Sequence, residues 1–412
     1  MPPRPPARLF FLHILKTGGT SFYRFLENGY GRDESIRDDQ MGQLKGLKED
    51  PGAFLAKLST YRLITKLHLD FSYVDRLRTI DPQLQVVTLL RQPVSRCYSM
   101  IEHWRRVPDV HIAELDAIRR ELVLDARTMP VVAFVEKHAQ RLSDHQTKIL
   151  AGEGNAVADP PRGPLLEQAL ANLAAIDFVG LTERLSDTAA CVASGVGLFH
   201  SMNGQKLNET RDAARLSPEE RSSVSGILTQ LNRCDASLYA AGHLRFLRML
   251  HRWKHACFRQ QATAPPPPLA VDQQQHVSMD DPLVGDGWHE REGPPHQSCR
   301  WAGPERLSSL FLNCTAAGTL EITIAVVSVI SPEVLEGLAL MANGIPFTHT
   351  VTSEGQRLVV RGRITFEGPA ATEPLHLELQ SPTTRSAFDV AGVEDRRKKT
   401  IAVETVTVRR VG

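Results

Sequence analysis

Leu9-Phe-Phe-Leu-His-Ile-Leu-Lys-Thr-Gly-Gly-Thr-Ser-Phe22 decides how the first half of this 412-residue chain is read. A short apolar run reads as a buried strand over Leu9–Leu15, interrupted by His13. It ends in Lys16-Thr17-Gly18-Gly19-Thr20-Ser21, and Phe22, Phe25 and Leu26 then follow at helical spacing. Strand, small-residue turn and helix together make an anion cradle. Glycines let backbone approach a ligand without a Cβ in the way, and a helix start offers N–H groups and a favourable dipole to negative charge. Lys16 adds a full charge; Thr17, Thr20 and Ser21 add hydroxyls. The order of residues is not that of the nucleotide-triphosphate loop, in which Lys follows the glycines.

A second junction of the same kind follows Leu84–Leu90. This apolar strand runs into Arg91-Gln92-Pro93-Val94-Ser95-Arg96-Cys97-Tyr98-Ser99. Pro93 suits the first turn of a helix. Arg91, at the strand end, and Ser99 can face one crevice, and a guanidinium fork with a hydroxyl suits a phosphate. Two such junctions, about seventy residues apart, are more specific than either alone.

The first segment resembles the 5′-phosphosulfate loop of sulfotransferases that use 3′-phosphoadenosine-5′-phosphosulfate (PAPS). It is nearest the branch acting on carbohydrates, where H-I-P-K-T-G-G-T-S is common and Leu15 here replaces the Pro. The second segment resembles that family's R-[DN]-P-x-x-R-x-x-S, with Gln92 the departure. Asp144-His-Gln-Thr-Lys-Ile-Leu-Ala-Gly152 is similar to N-x-Q-T-R-x-L-x-G, and Phe178–Glu183 to F-V-G-L-T-E. Leu207–Thr210 and Asn232–Tyr239 match its closing elements more weakly, so the likeness spans residues 8–250. It implies an α/β fold, a P-loop-like parallel sheet flanked by helices. It also implies PAPS as sulfuryl donor, with Lys16, Thr17, Gly18, Gly19, Thr20 and Ser21 on the phosphosulfate and Arg91 and Ser99 on the 3′-phosphate.

Sulfuryl transfer also needs a base. Thr65-Lys66-Leu67-His68-Leu69-Asp70 follows the apolar stretch Tyr61–Ile64 and sets Lys66, His68 and Asp70 on one face at period two. His68 suits the role because an imidazole titrates near neutrality. In the uronyl 2-O-sulfotransferase branch a Gly-His pair stands in what looks like the matching place, with Leu67 here for the Gly. Lys16 is the residue to meet charge on the departing phosphate. His103 follows Ser99 at helical spacing and can line the acceptor cleft or the surface. Thr182, Glu183 and Arg184 border the cleft without an assigned role.

Net charge is +1, so no bulk field points to nucleic acid or an anionic membrane. Six scattered cysteines lack a C-x-x-C pair and read as free thiols in a reducing compartment, and fifteen histidines lack metal-ligand spacing, so no metal is expected. No apolar run approaches the ~20 residues of a membrane helix. Golgi members of the family carry an anchor, so the expectation is a bacterial-type cytoplasmic protein without membrane insertion.

Residues 1–255 read as the sulfotransferase domain. Residues 256–282 read as a Pro/Gln-rich linker, with four prolines over 265–268. Residues 283–412 turn to period two, as in Leu320, Ile322, Ile324 and Val326, and read as a C-terminal all-β sandwich of seven or eight strands. Asn343-Gly344 signals a tight hairpin. Trp288 and Trp301 read as core residues or as sugar-stacking platforms, and the run Arg396–Lys399 as a solvated loop or a contact for an anionic glycan. The expected activity is transfer of a sulfuryl group to a carbohydrate hydroxyl. The alternatives are a glycan-binding protein with an inactive domain, and an ATP-dependent P-loop phosphotransferase.

Overall fold

The computed structural model describes residues 6–31, 33–36, 50–65, 69–154, 162–198, 215–260, 267–294, 298–367 and 373–411. The chain forms two compact units, residues 1–250 and 251–412.

The first unit is built on a four-stranded sheet in the order β2-β1-β3-β4, where β1 is Leu9–Leu12, β2 Leu63–Ile64, β3 Gln85–Leu90 and β4 Phe178–Leu181. Every pairing is parallel. All four residues of β1 are buried, as expected of a strand covered on both faces by helices. Two of the expected strands are shorter: β1 stops at Leu12 where the apolar run reaches Leu15, and β2 is Leu63–Ile64 within the apolar stretch Tyr61–Ile64. From β1 the chain moves to β2 on one side, then crosses to β3 on the other. Such a switch point opens a crevice at the carboxyl ends of the two diverging strands. Both sequence motifs lie there, and β4 brings Thr182–Arg184 alongside.

Helix ends follow the local sequence. Ser217 and Glu220 form the predicted capping box before the helix Pro218–Leu231. Gln92, the departure from Asp or Asn, still caps the helix Pro93–Arg105, because its side chain accepts from the Ser95 N–H. Asp144, in place of Asn, sits at φ 43°, a left-handed conformation that Asn and Asp tolerate best among residues with a Cβ.

Asp144 and Asp235 exchange caps. The Asp144 carboxylate accepts from the N–H groups of Cys234 and Asp235 (2.9 and 3.0 Å), at the start of the helix Arg233–Gln260. The Asp235 carboxylate accepts from the N–H groups of Gln146 and Thr147 (3.2 and 2.7 Å) and from the Thr147 hydroxyl (2.8 Å), at the start of the helix His145–Ala151. Both carboxylates are buried and lie where the helix dipole favours a negative charge.

In the second unit, two antiparallel sheets of seven and five strands share one hydrophobic core, with Ile322, Val360 and Val406 from the larger meeting Leu310 and Leu377 from the smaller. This is the arrangement of a β-sandwich. The larger sheet runs β13-β14-β10-β16-β8-β7 with β5 on β16. In it β5 is Gln274–Ser278, β7 Trp288–Glu292, β8 Cys299–Ala302, β10 Gly318–Val329, β13 His349–Glu354, β14 Arg357–Phe366 and β16 Ile401–Val411. Asn343 and Gly344, both at positive φ, join Ala339–Ala342 to Ile345–Phe347 in the predicted hairpin.

The segment expected to be linker is structured in part. Gln274–Ser278 pairs with β16, and Leu269 and Met279 enter the core. The second unit also reaches back to residue 251: His251 Nδ1 lies 2.9 Å from Ser309 Oγ, and His255 stacks on Phe311. Among the described residues eleven strands begin at or after Gly285 where seven or eight were expected; strands as short as Gly285–Asp286 carry no period-two signal. Among the described residues no helix is long and apolar enough to cross a membrane.

Replacing Asp235 by Ala removes the cap from two buried N–H groups. Asp235→Ala is expected to lower stability by about 2–4 kcal/mol, with Asp235→Asn losing less because the amide oxygen still accepts. A urea-denaturation midpoint unchanged in Asp235→Ala would show that the exchange is dispensable.

Candidate anion-binding site

The turn after β1 is held in a sparsely populated backbone. Lys16 has φ 69° and Gly18, the residue before the helix Gly19–Gly29, has φ 79°. The second suits glycine. The first places a bulky residue in the left-handed region, an outlier of the kind that collects at functional sites. The helix has no side-chain cap and no acidic residue in its first turn, so its leading N–H groups, which have no intrahelical acceptor, suit an external anion. Gly19 leaves room for His13: a Cβ there would lie 2.0 Å from His13 Nε2, so a larger residue would displace the ring. The His13 imidazole therefore rests on the first turn. In the sequence His13 shows only as a break in the apolar run.

Three side chains, of Thr17, Thr182 and Arg91, hold the loop in place. Thr17 is buried and its hydroxyl donates to the Ile14 carbonyl (2.9 Å), so that hydroxyl holds the turn. The Thr182 hydroxyl reaches the carbonyls of Thr17 (2.7 Å) and Leu90 (3.1 Å), tying the ends of β1, β3 and β4 together. Arg91 Nη1 donates to the Lys16 carbonyl at 3.1 Å. The two motifs thus meet.

Arg91 is itself clamped. Gln146 accepts from the Arg91 N–H and donates to the Arg91 carbonyl, each at 2.9 Å. Glu183 accepts from the Gln92 N–H (2.9 Å) and from the Tyr239 hydroxyl (3.2 Å). Thr182 and Glu183, left without a role by the sequence, are positioning residues. Ser99 lies half-buried two turns into the helix Pro93–Arg105, while the motif's second arginine, Arg96, turns away. It is fully buried, bonds the Leu142 carbonyl (3.2 Å), and leaves Nε and Nη1 without a partner.

Positive charge is crowded here. Burial pushes the Lys16 amine down to about 8, and the nearby Arg106 and Arg91 push in the same direction. Burial, with Lys16 and Arg106, holds the His103 imidazole down to about 4, so it is neutral at physiological pH. Burial also lowers Arg91, against the attraction of Glu183 and Glu102. Cations that disfavour one another this way are relieved by a bound anion.

His68, with Lys66 and Leu67, lies outside the described residues, as do Leu207–Thr210. Asp70 is occupied in capping: its carboxylate accepts from the Ser72 N–H (2.9 Å) and hydroxyl (2.6 Å). Among the described residues no group of three His, Cys, Asp or Glu side chains is placed to hold a metal. Among the described residues no two cysteines are joined in a disulfide.

No family profile and no curated protein matches the chain. Among solved structures, mouse sulfotransferase SULT7A1 in complex with PAP is similar over 57% of this chain and 88% of its own, at 12% identity and a TM-score of 0.21. A Podospora anserina GH26-CBM35 β-(1,4)-mannanase is similar over 34% of this chain, at 7% identity and a TM-score of 0.22; the chain spans 28% of its length. The mannan-recognising carbohydrate-binding module TmCBM27 is similar over 33% of this chain and 96% of its own, at 13% identity and a TM-score of 0.19. Similarity at this level bears on neither fold nor function.

Lys16 titrates near 8 in the fold against 10.5 for its ordinary value. The folded state therefore disfavours the protonated amine. That cost is fully present below about pH 8 and fades as pH rises towards 10.5. Lys16→Met should stabilise the ligand-free protein by about 2 kcal/mol at neutral pH, with the gain shrinking above pH 8, while weakening anion binding. Melting curves at pH 7 and pH 10 check this; a variant that is less stable at pH 7 contradicts it.

Proposed function

We propose that the first unit transfers a sulfuryl group from PAPS to a carbohydrate hydroxyl. The observation that carries the reading is the 3.1 Å bond from Arg91 Nη1 to the Lys16 carbonyl, which joins the two phosphate-type junctions in one crevice. A donor with a 5′-phosphosulfate and a separate 3′-phosphate needs two anion sites that close together. The turn Lys16–Ser21 serves the first and Arg91 with Ser99 the second. PAPS supplies a sulfuryl group on a good leaving phosphate. Lys16 follows charge onto the departing bisphosphate as the S–O bond breaks. His68 takes the proton of the acceptor hydroxyl as its oxygen bonds to sulfur. His103, neutral beside Lys16, is the second residue to test as base. An ATP-dependent phosphotransferase is disfavoured because Lys16 precedes the glycines, and a purely glycan-binding role leaves the crowded cations without a purpose.

Adenosine 3′,5′-bisphosphate should bind the full chain in excess chelator. Arg91→Ala should weaken it by about 1.5–3 kcal/mol, and should cost much less for the analogue lacking the 3′-phosphate. Equal losses for both nucleotides, or a requirement for Mg²⁺ with preference for ATP, would overturn the proposal. A bound anion raises the Lys16 pKa, so affinity should be level below about pH 7 and fall as pH rises through 8. Lys16→Arg should be flat over that range.

Turnover separates the roles. His68→Ala should lose ~10²–10⁴-fold in rate with nucleotide affinity unchanged, and His103→Ala much less. If the losses are reversed in labelled transfer from PAPS, His103 is the base.

A further inference from the structure

We propose that the second unit binds an acidic sugar, one bearing a carboxylate or a sulfate ester, in a cavity on the outward face of its larger sheet. The cavity measures about 300 Å³ and is lined chiefly by Glu321, Thr348, His349, Thr350, Arg361 and Arg363, at the lower end of ligand-cavity sizes. Arg361 and Arg363 are two apart on β14 and so project to the same face. Thr350 of β13 lies opposite Arg361, and Glu321 of β10 opposite Arg363. Gly362, between the arginines, lets the neighbouring chain close in: a Cβ there would lie 2.6 Å from the Phe347 ring and 2.8 Å from the Thr348 carbonyl.

The polar groups are held before any ligand arrives. Arg363 donates through Nε and Nη2 to Glu321 (2.9 and 2.7 Å), whose other oxygen accepts from Arg409 on β16 (2.8 Å). Arg361 Nη1 pairs with Glu354 at 2.7 Å, where both side chains are about half exposed. The arginines outnumber the carboxylates, so one unit of positive charge is left for a ligand anion. A guanidinium fork fits a carboxylate or sulfate, and Thr348, Thr350 and Glu321 offer donors and acceptors to ring hydroxyls. A polynucleotide would need a continuous basic track, which this alternation of Arg and Glu does not provide. The site lies wholly within the second unit and does not depend on sulfuryl transfer.

The test is calorimetry on the full chain with four probes: an unsulfated oligouronate, a sulfated galactan oligosaccharide, its unsulfated counterpart, and inorganic polyphosphate. At least one acidic sugar should bind, and the neutral oligosaccharide should bind about tenfold more weakly or not at all. Which acidic sugar binds more tightly tells uronate from sulfate ester. Arg361→Gln leaves the Glu321–Arg363 pair intact and should reduce affinity about tenfold, whereas Lys16→Met should not change it. Equal binding of the neutral sugar, binding of polyphosphate that Arg361→Gln weakens as much as it weakens binding of the acidic sugar, wild-type affinity in Arg361→Gln, or no acidic sugar bound at millimolar concentration would each overturn the proposal. Loss of binding in Lys16→Met would place the sugar in the first unit instead, and overturn it too.

Discussion

Asp144 and Asp235 each cap the helix that the other begins, and the geometry of the candidate site depends on that exchange. A buried carboxylate is tolerated only when its lone pairs are filled. Here backbone N–H groups fill them, and two helix starts gain acceptors that their own residues do not supply: Asp144 makes no side-chain bond to the helix it precedes. Gln146, fixed one residue into the capped turn, then holds both backbone groups of Arg91. Asn232 extends the lock, accepting from the Asp144 N–H at 3.1 Å and donating to the Leu228 carbonyl at 2.9 Å. The position of Arg91 is thus set by a polar network remote from the loop it touches.

Against that rigid frame the site itself is costly. Lys16 sits in a left-handed backbone and half out of water, beside Arg91 and Arg106. Each of these features opposes folding. A site that repels its own cations and leaves a helix start uncapped has the features that the proposed ligand, one with dense negative charge, would relieve. The unpaired nitrogens of Arg96 are a cost of another kind, because they face protein and not the crevice.

The parts of this arrangement legible in the sequence are those written in local patterns. Buried parallel strands announce themselves as apolar runs, so β1, β3 and β4 stood out, as did the capping box at Ser217 and the hairpin at Asn343-Gly344. The turn after β1 is visible because Gly18 and Gly19 with Thr17, Thr20 and Ser21 break the apolar run, although the left-handed backbone of Lys16 is not. Side-chain direction was not legible. Thr17 and Thr20 read alike as hydroxyl donors, yet Thr17 is turned inward to Ile14. Thr182 and Glu183 follow a strand like many other residues, and only the parallel order of β1, β3 and β4 brings them to the motifs. His13 was written off as an interruption because its contact with the first turn, across Gly19, follows from the tightness of the bend.

The same distinction governs the second unit. Arg396–Lys399 is the densest basic run in the chain, yet its charges are spent locally: Arg397 and Lys399 pair with Asp395 and Glu292, and Lys398 pairs with Asp389. Lys399 also lies over the Trp301 ring, and Trp288 donates to the Ser309 carbonyl while packing on the core. Neither indole is left as an open platform. Arg361, Arg363 and Glu321 look unremarkable in the sequence because period two separates them along their strands. The ladder gathers them, since register sets which side chains share a face. Contiguous charge in a loop can fold back on neighbouring carboxylates. On the adjacent strands Arg363 and Arg409 share Glu321 and Arg361 pairs with Glu354, so the charges are also paired, but three arginines against two carboxylates leave a net positive charge.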